Sequence, residues 1–107
     1  MLDLFREIDR RQNRGERVAV ATIVRTTGST PRELGAKMVV TQDGKVIGSI
    51  GGGYGEHEVW KAAAEVVKLG QPRLVHVELT SNVVTNEGAV CGGAMDIFVE
   101  PIGPSKT

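Results

Sequence analysis

Residues 18–24 read VAVATIV, an uncharged run of β-branched and small apolar side chains. Apolar residues on both faces are typical of a strand covered on both sides, because a half-exposed strand alternates apolar with polar residues. The run therefore predicts a buried central strand. It leads into residues 26–38, TTGSTPRELGAKM, where Gly28, Pro31 and Gly35 interrupt any regular element and predict a loop.

The segments on either side of this strand predict one α+β domain. Periodicity predicts helices at 2–14 and 54–70, and strands at 73–79 and 95–99, the last of them ended by Pro101. Two further strands are predicted within 36–50. They are joined by Asp43-Gly44, a turn in which both residues are expected to have positive φ. This order predicts a mixed β-sheet of about five strands with two main helices. We expect a single domain over residues 1–107, with its core at 17–102 and a frayed tail at 103–107.

The composition indicates the cellular compartment of the protein and the classes of partner that it does not attract. Lysine plus arginine equal aspartate plus glutamate, at 13 each, so no overall field draws the chain to nucleic acid. No apolar run approaches the roughly 20 residues that span a bilayer, and the N-terminus lacks the features of a secretory signal. The single cysteine, Cys91, cannot form an internal disulfide. We therefore expect a cytoplasmic protein.

Arginines cluster near the N-terminus and have two interpretations. They form a solvated helix face, or they form a docking patch for a partner protein. The cluster comprises Arg6, Arg10, Arg11, Arg14 and Arg17.

A glycine-rich junction, GSIGGGYGE at residues 48–56, precedes the second predicted helix. Backbone N–H groups of Gly51, Gly52 and Gly53, together with the helix N-terminus, could bind an anion such as phosphate. The alternative is that these glycines only allow the strand and the helix to pack closely. The segment matches neither the P-loop nor the dinucleotide-binding pattern.

Two further segments carry reactive or polar groups. In Cys91-Gly92-Gly93, the exposed backbone of the glycines could admit a bulky ligand to a thiolate, although a lone cysteine is commonly a buried apolar residue. In the loop around Pro31, Ser29 and Arg32 could grip a phosphate or carboxylate, or Arg32 could pair with a neighbouring carboxylate.

The two histidines suggest no catalytic or metal site. His57 and His76 lack metal-ligand spacing with each other or with Cys91, and both are interpreted as structural or solvent-facing. Glu56 lies at the start of the second helix, where its negative charge interacts favourably with the helix dipole, and it could also face a pocket entrance.

Three segments together, TTGSTPRELGAKMVV, GSIGGGYGE and CGGAMDIFVEPI, resemble the XdhC/CoxI family of xanthine dehydrogenase and carbon monoxide dehydrogenase accessory proteins. The resemblance covers residues 17–102 and the N-terminal domain of that family. It implies a maturation factor, more a chaperone than an enzyme, that binds molybdenum cofactor (molybdopterin) transiently. It also implies a molybdenum hydroxylase apoenzyme and a cysteine desulfurase as partners, and a homodimer.

The resemblance assigns roles to individual residues. Cys91 takes the place of the family's CGG cysteine, as a sulfur carrier or a possible molybdenum ligand. The implied cofactor-binding residues are Gly28, Ser29, Pro31, Arg32, Gly35, Gly51, Gly52, Gly53, Glu56, Cys91, Gly92 and Gly93. Many relatives have a second cysteine where Tyr54 stands, and longer relatives continue into a nucleotide-binding domain of Rossmann type.

Three functions remain open from the sequence. The first is cofactor binding and maturation, with the matched residues lining one cleft. The second is a small enzyme acting on a phosphorylated or nucleotide substrate with Cys91 as nucleophile, for which the sequence offers no convincing general base. The third is a protein-binding accessory subunit without a small ligand, docking through its arginine-rich first helix.

Overall fold

The two longest strands of the protein lie next to each other inside a five-stranded sheet. The computed structural model describes residues 2–28, 34–48, 50, 54–79 and 93–103. Along the chain the elements are α1 (Leu2–Asn13), β1 (Val18–Thr27), β2 (Lys37–Val40), β3 (Val46–Gly48), α2 (Tyr54–Leu69), β4 (Arg73–Leu79) and β5 (Gly93–Ile102). The strand order is β3-β2-β1-β5-β4, so β1 has a neighbour on each side, as its sequence predicted.

The α+β class, the five strands and the two helices are confirmed, but the sheet is antiparallel rather than mixed. All four strand pairings are antiparallel. The connection through α2 crosses from the β3 edge to the β4 edge, and there β4 enters antiparallel to β5. The crossing connection therefore adds no parallel pair.

Alternating side chains divide the core into two layers, one on each face of the sheet. On one face, α2 packs through Val59, Ala63 and Val66 against β1 and β5 residues such as Ile23 and Ile97. On the other face, α1 covers a smaller patch, formed by Leu4 against Val18, Val20 and Val39. Neither described helix is long and apolar enough to cross a membrane.

The β2–β3 hairpin is present, but only one of its turn residues has positive φ. Gly44 has a φ of 85°, and no described residue other than glycine has a positive φ. Gly44 N donates to Thr41 O at 2.9 Å, and Thr41 N donates to Lys45 O at 2.9 Å. The prediction of positive φ at Asp43 is therefore wrong: the loop has three residues, and such loops need a left-handed residue only at their last position.

The prediction that Pro101 ends the last strand is also wrong. β5 continues to Ile102, with Pro101 opposite Ala19 of β1. The β4 pairing reaches only as far as Val99, so beyond Val99 one edge of β5 has no strand beside it in the described part of the chain. A proline fits there because its missing N–H group interrupts no ladder on that side.

The arginines of the first helix are partly structural. Arg11 is only 6% exposed and bonds to Glu7, Glu16 and Asp43, which ties α1 to the β2–β3 turn. Hydrogen bonds from Arg10 and then from Arg11 lower the pKa of Glu7 to about 2. Arg11 is therefore unavailable to a partner protein.

Candidate functional site

Three strands end or begin together at one end of the sheet, which we call the loop end. Thr27 at the end of β1 lies opposite Ala94 of β5, and Gly93 at the start of β5 lies opposite Leu79 at the end of β4. Residues 29–33 and 80–92, which contain parts of two of the three segments matched to the family, connect to the described chain at this end.

The third family segment, GSIGGGYGE, begins at the end of β3, on the same side of the molecule but farther from the loop end. Gly48 at the end of β3 lies opposite Met38, which lies opposite Ala21 of β1. Ala21 and Thr27 lie opposite residues 99 and 94 of β5, which are five residues apart. At roughly 3.3 Å per residue this offset is about 17 Å along the strand. The other end of α2 is fixed far from the loop end, because Arg17, just before β1, donates from Nη1 to Val67 O at 2.9 Å. The N-terminus of α2 therefore points toward the loop end.

Four of the predicted site residues lie in the described part of the chain. Gly28 and Gly35 have φ of 70° and 90°, so turn geometry already explains why glycine stands at both positions. Gly93 is buried at the start of β5, and Glu56 is half-buried in the first turn of α2. The remaining predictions lie outside the described residues: Ser29, Pro31, Arg32, Gly51, Gly52, Gly53, Cys91 and Gly92.

A polar cluster that the sequence interpretation missed lies near the loop end, on the face opposite α2. The His76 ring nitrogen Nδ1 is 2.6 Å from Asp96 Oδ1, and Arg25 Nε is 3.7 Å from Asp96 Oδ2. The strand register makes the cluster, because Asp96 is directly opposite His76 on one side and Arg25 on the other. From the sequence alone His76 is interpreted as structural or solvent-facing, because its partner Asp96 lies 20 residues away along the chain.

The His76–Asp96 contact should make stability depend on pH. The hydrogen bond to Asp96 raises the pKa of His76 above its ordinary value of 6.5. A pKa raised by folding stabilises the native state below pH 6.5, and this contribution is lost as pH rises through the folded-state pKa. In urea unfolding, His76→Gln should therefore be more destabilising relative to wild type at acidic than at alkaline pH.

A double-mutant cycle isolates this contact. We expect His76→Gln, Asp96→Asn and the double variant to give a coupling free energy at acidic pH that disappears at alkaline pH. A coupling of the same size at both ends of the pH range would show that the ring and the carboxylate do not interact through the proton.

A depression lies elsewhere, at the end of the sheet opposite the loop end. It has a volume of about 560 Å³ and is lined by Gly15, Arg17, Gln42, Ala64, Val67 and Lys68. Its polar groups serve the fold: Arg17 bonds to the last turn of α2, and Gln42 Oε1 accepts from Arg17 N at 3.1 Å. None of the four predicted site residues that the structure describes lines it.

Among the described residues, no group of three or more His, Cys, Asp or Glu side chains could hold a metal ion. Cys91, the predicted molybdenum ligand, lies outside them.

Comparison with known proteins gives the family. Residues 11–78 match the sequence model of the XdhC and CoxI family, and this match extends over more than half of the chain. The chain belongs to the XdhC and CoxI family. It is 35% identical over 102 residues to the uncharacterized protein YqeB of Escherichia coli K12, a match that covers 95% of this chain and 19% of YqeB.

A solved structure agrees with this membership. A protein named a xanthine dehydrogenase, from Bacillus halodurans, superimposes with a TM-score of 0.66 at 32% sequence identity. The superposition covers 81% of this chain and 26% of that protein. The chain thus spans about a fifth of YqeB and about a quarter of the solved relative.

Proposed function

We propose that this member of the XdhC and CoxI family is a maturation factor for a molybdenum hydroxylase of the xanthine dehydrogenase or carbon monoxide dehydrogenase type. It holds molybdenum cofactor as cargo while the cofactor's terminal sulfur ligand is installed, and then delivers it to the apoenzyme. The protein acts in the cytoplasm as a chaperone, as a homodimer, with a cysteine desulfurase as the source of sulfur.

The observation that carries this proposal is the common direction of the three attachment points. The segments with Arg32 and Cys91 connect at the loop end, and the segment with Gly51 to Gly53 connects β3 to the helix end that points the same way. A chain so attached can bring backbone N–H groups, a guanidinium and a thiol to one ligand. Backbone amides at a helix N-terminus and arginine are the groups that proteins use to bind phosphate.

The chain's own residues supply binding and positioning in this proposal. The Arg32 guanidinium and the amides around Gly52 bind the anionic part of the cargo, and Cys91 approaches its metal end. A cysteine thiolate is both a soft metal ligand and a sulfur nucleophile. The purified protein distinguishes the two roles of Cys91: extra sulfur bound to Cys91 itself indicates a sulfur carrier, and its absence there indicates a metal ligand.

Replacing Cys91 with serine tests this function. Serine keeps the size and loses the thiolate, so we expect a partner hydroxylase matured with Cys91→Ser to receive as little sulfurated cofactor as one matured without the protein. The measurement is the sulfide released from the hydroxylase cofactor. Circular dichroism and urea unfolding of the variant are compared with wild type, so that a loss of maturation can be separated from a loss of folding.

Two controls separate the alternatives. Alkylation of Cys91 in the folded protein should proceed readily, whereas a thiol buried in apolar packing would be protected. Titration with purified cofactor should show binding to wild type and weaker binding to Arg32→Gln. Full sulfuration by Cys91→Ser would overturn the role of the thiol, and no cofactor binding by wild type would favour a purely protein-binding subunit.

A further inference from the structure

Three charged side chains stand in a row across β1, β5 and β4 on the face of the sheet opposite α2. Arg25, Asp96 and His76 are direct neighbours in the strand register. On this face α1 packs near the other end of β1, against Val18 and Val20. The side chains of Arg25 and His76 are 75% and 57% exposed, so both cations are open to a ligand in solution.

Asp96 holds the two cations side by side. Its side chain is only 18% exposed, with one oxygen 2.6 Å from His76 Nδ1 and the other 3.7 Å from Arg25 Nε. These contacts use one nitrogen of each cation. The two terminal nitrogens of Arg25 remain as donors for a ligand, and the His76 Nε2 atom becomes one when Glu78, whose Oε2 atom is 3.5 Å away, turns aside.

The pKa of His76 is raised by its hydrogen bond to Asp96, which favours the imidazolium. Arg25, protonated His76 and Asp96 together carry one net positive charge, which Glu78 beside His76 offsets while it stays near the ring. Charged donors that share one face are suited to an oxyanion. Thr27, next along β1 on the same face, adds an exposed hydroxyl.

We propose that this row forms a binding site for a tetrahedral oxyanion, the phosphate monoester group of a small ligand. The site is a depression of about 130 Å³ lined by Arg25, Thr27, His76, Ala94, Met95 and Asp96. Roughly 10–15 Å³ of accessible space suffices for one water molecule, so the depression has room for a small anion. The site stands independently of the proposed cofactor-handling function.

Glu78 competes with the anion for His76. Its Oε2 atom is 3.5 Å from His76 Nε2, and its side chain is 66% exposed. An exposed carboxylate can turn into solvent when an anion arrives, since its interaction with the histidine is weak. Glu78 therefore lowers the affinity of the site without closing it.

Sulfate is the appropriate first probe, because it stays a dianion across the pH range in which His76 titrates. Sulfate added to the complete chain at constant ionic strength should shift the backbone amide resonances of Thr27 and Ala94 in a saturable way. Affinity should fall as pH rises and His76 loses its proton. Among the described residues, Asp96 and Glu78 are the charges beside its ring, and Arg25 lies on the other side of Asp96. Methyl phosphate should bind like sulfate, and acetate more weakly.

Substitutions at the site should change the affinity for sulfate in opposite directions. Arg25→Gln and His76→Gln each remove a charged donor and should lower the affinity about tenfold. Glu78→Gln removes the competing carboxylate and should raise it. Arg73→Gln is the matched control, because this β4 arginine pairs with Glu65 at 2.8 Å and lies outside the depression, so its loss should leave the affinity unchanged.

Asp96→Asn separates a built site from diffuse attraction. The substitution makes the surface more positive, so general electrostatic attraction predicts tighter sulfate binding. The proposed site predicts weaker binding, because the two cations lose the group that positions them. Tighter binding by Asp96→Asn, equal weakening by Arg73→Gln and Arg25→Gln, or no saturable shift in wild type would each overturn the proposal. If Cys91 proved to have no role in maturation, the proposed oxyanion site would still stand.

Discussion

Replacing Ile97 with alanine should lower the free energy of unfolding by about 2–5 kcal/mol, because it empties a fully buried position of the core. Ile97 is fully buried near the middle of β5, opposite Ile23 on one side and Val75 on the other. The deletion removes apolar contacts and leaves a cavity that two strands and α2 cannot readily close. Urea unfolding followed by circular dichroism measures the change.

Graded and matched substitutions show whether packing is the cause. Ile97→Val should cost only about 0.5–1.5 kcal/mol, because it removes a single methyl group. Leu74→Ala, at a β4 side chain that is 63% exposed, should change stability by no more than about 0.5 kcal/mol. Equal losses at Ile97 and Leu74 would contradict the described core.

Gly48→Ala should destabilise the protein by about 3 kcal/mol, from two effects that add. Gly48 has a φ of 82°, and the left-handed region costs a residue with a Cβ roughly 1–2 kcal/mol. A Cβ at this position would also lie 2.8 Å from the backbone oxygen of Lys37, which cannot move without breaking the β2–β3 pairing. The loss is measured by urea unfolding.

Gly44→Ala is the control for backbone strain alone. Gly44 has a similar φ of 85°, but a Cβ there would meet nothing within 4 Å. We expect this variant to lose only the roughly 1–2 kcal/mol of the left-handed conformation, and Gly44→Asn less. If both alanine variants lost the same amount, the contact with Lys37 would contribute nothing.

The hairpin and the last strand show which features a local sequence pattern can predict and which it cannot. Asp43-Gly44 correctly indicated a turn between two short strands, because glycine is needed wherever the backbone turns left-handed. The loop length was misjudged, since it depends on which backbone groups of Thr41 and Lys45 pair. Likewise, proline usually ends a strand, and only the position of β4 made Pro101 acceptable inside β5.

The candidate site divides in the same way. Glycine-rich segments and Cys91 could be located from composition and family resemblance, and their joint role in cofactor handling stays a prediction. The His76–Asp96–Arg25 cluster could not be found in this way. Nothing in the sequence near His76 indicates Asp96, because the pairing depends on the register of β4 against β5.

The sequence by itself determined where the main elements lie, because the apolar run at 18–24 and the periodicity at 54–70 and 73–79 depend only on neighbours a few residues away. It did not determine burial in full, since Val24 at the end of that run is 47% exposed. The tertiary structure alone decided which strands adjoin, and hence that Arg25, Asp96 and His76 meet on one face. Strand order and register arise from burying both helices against one sheet at once, and that free energy belongs to the whole chain rather than to any segment.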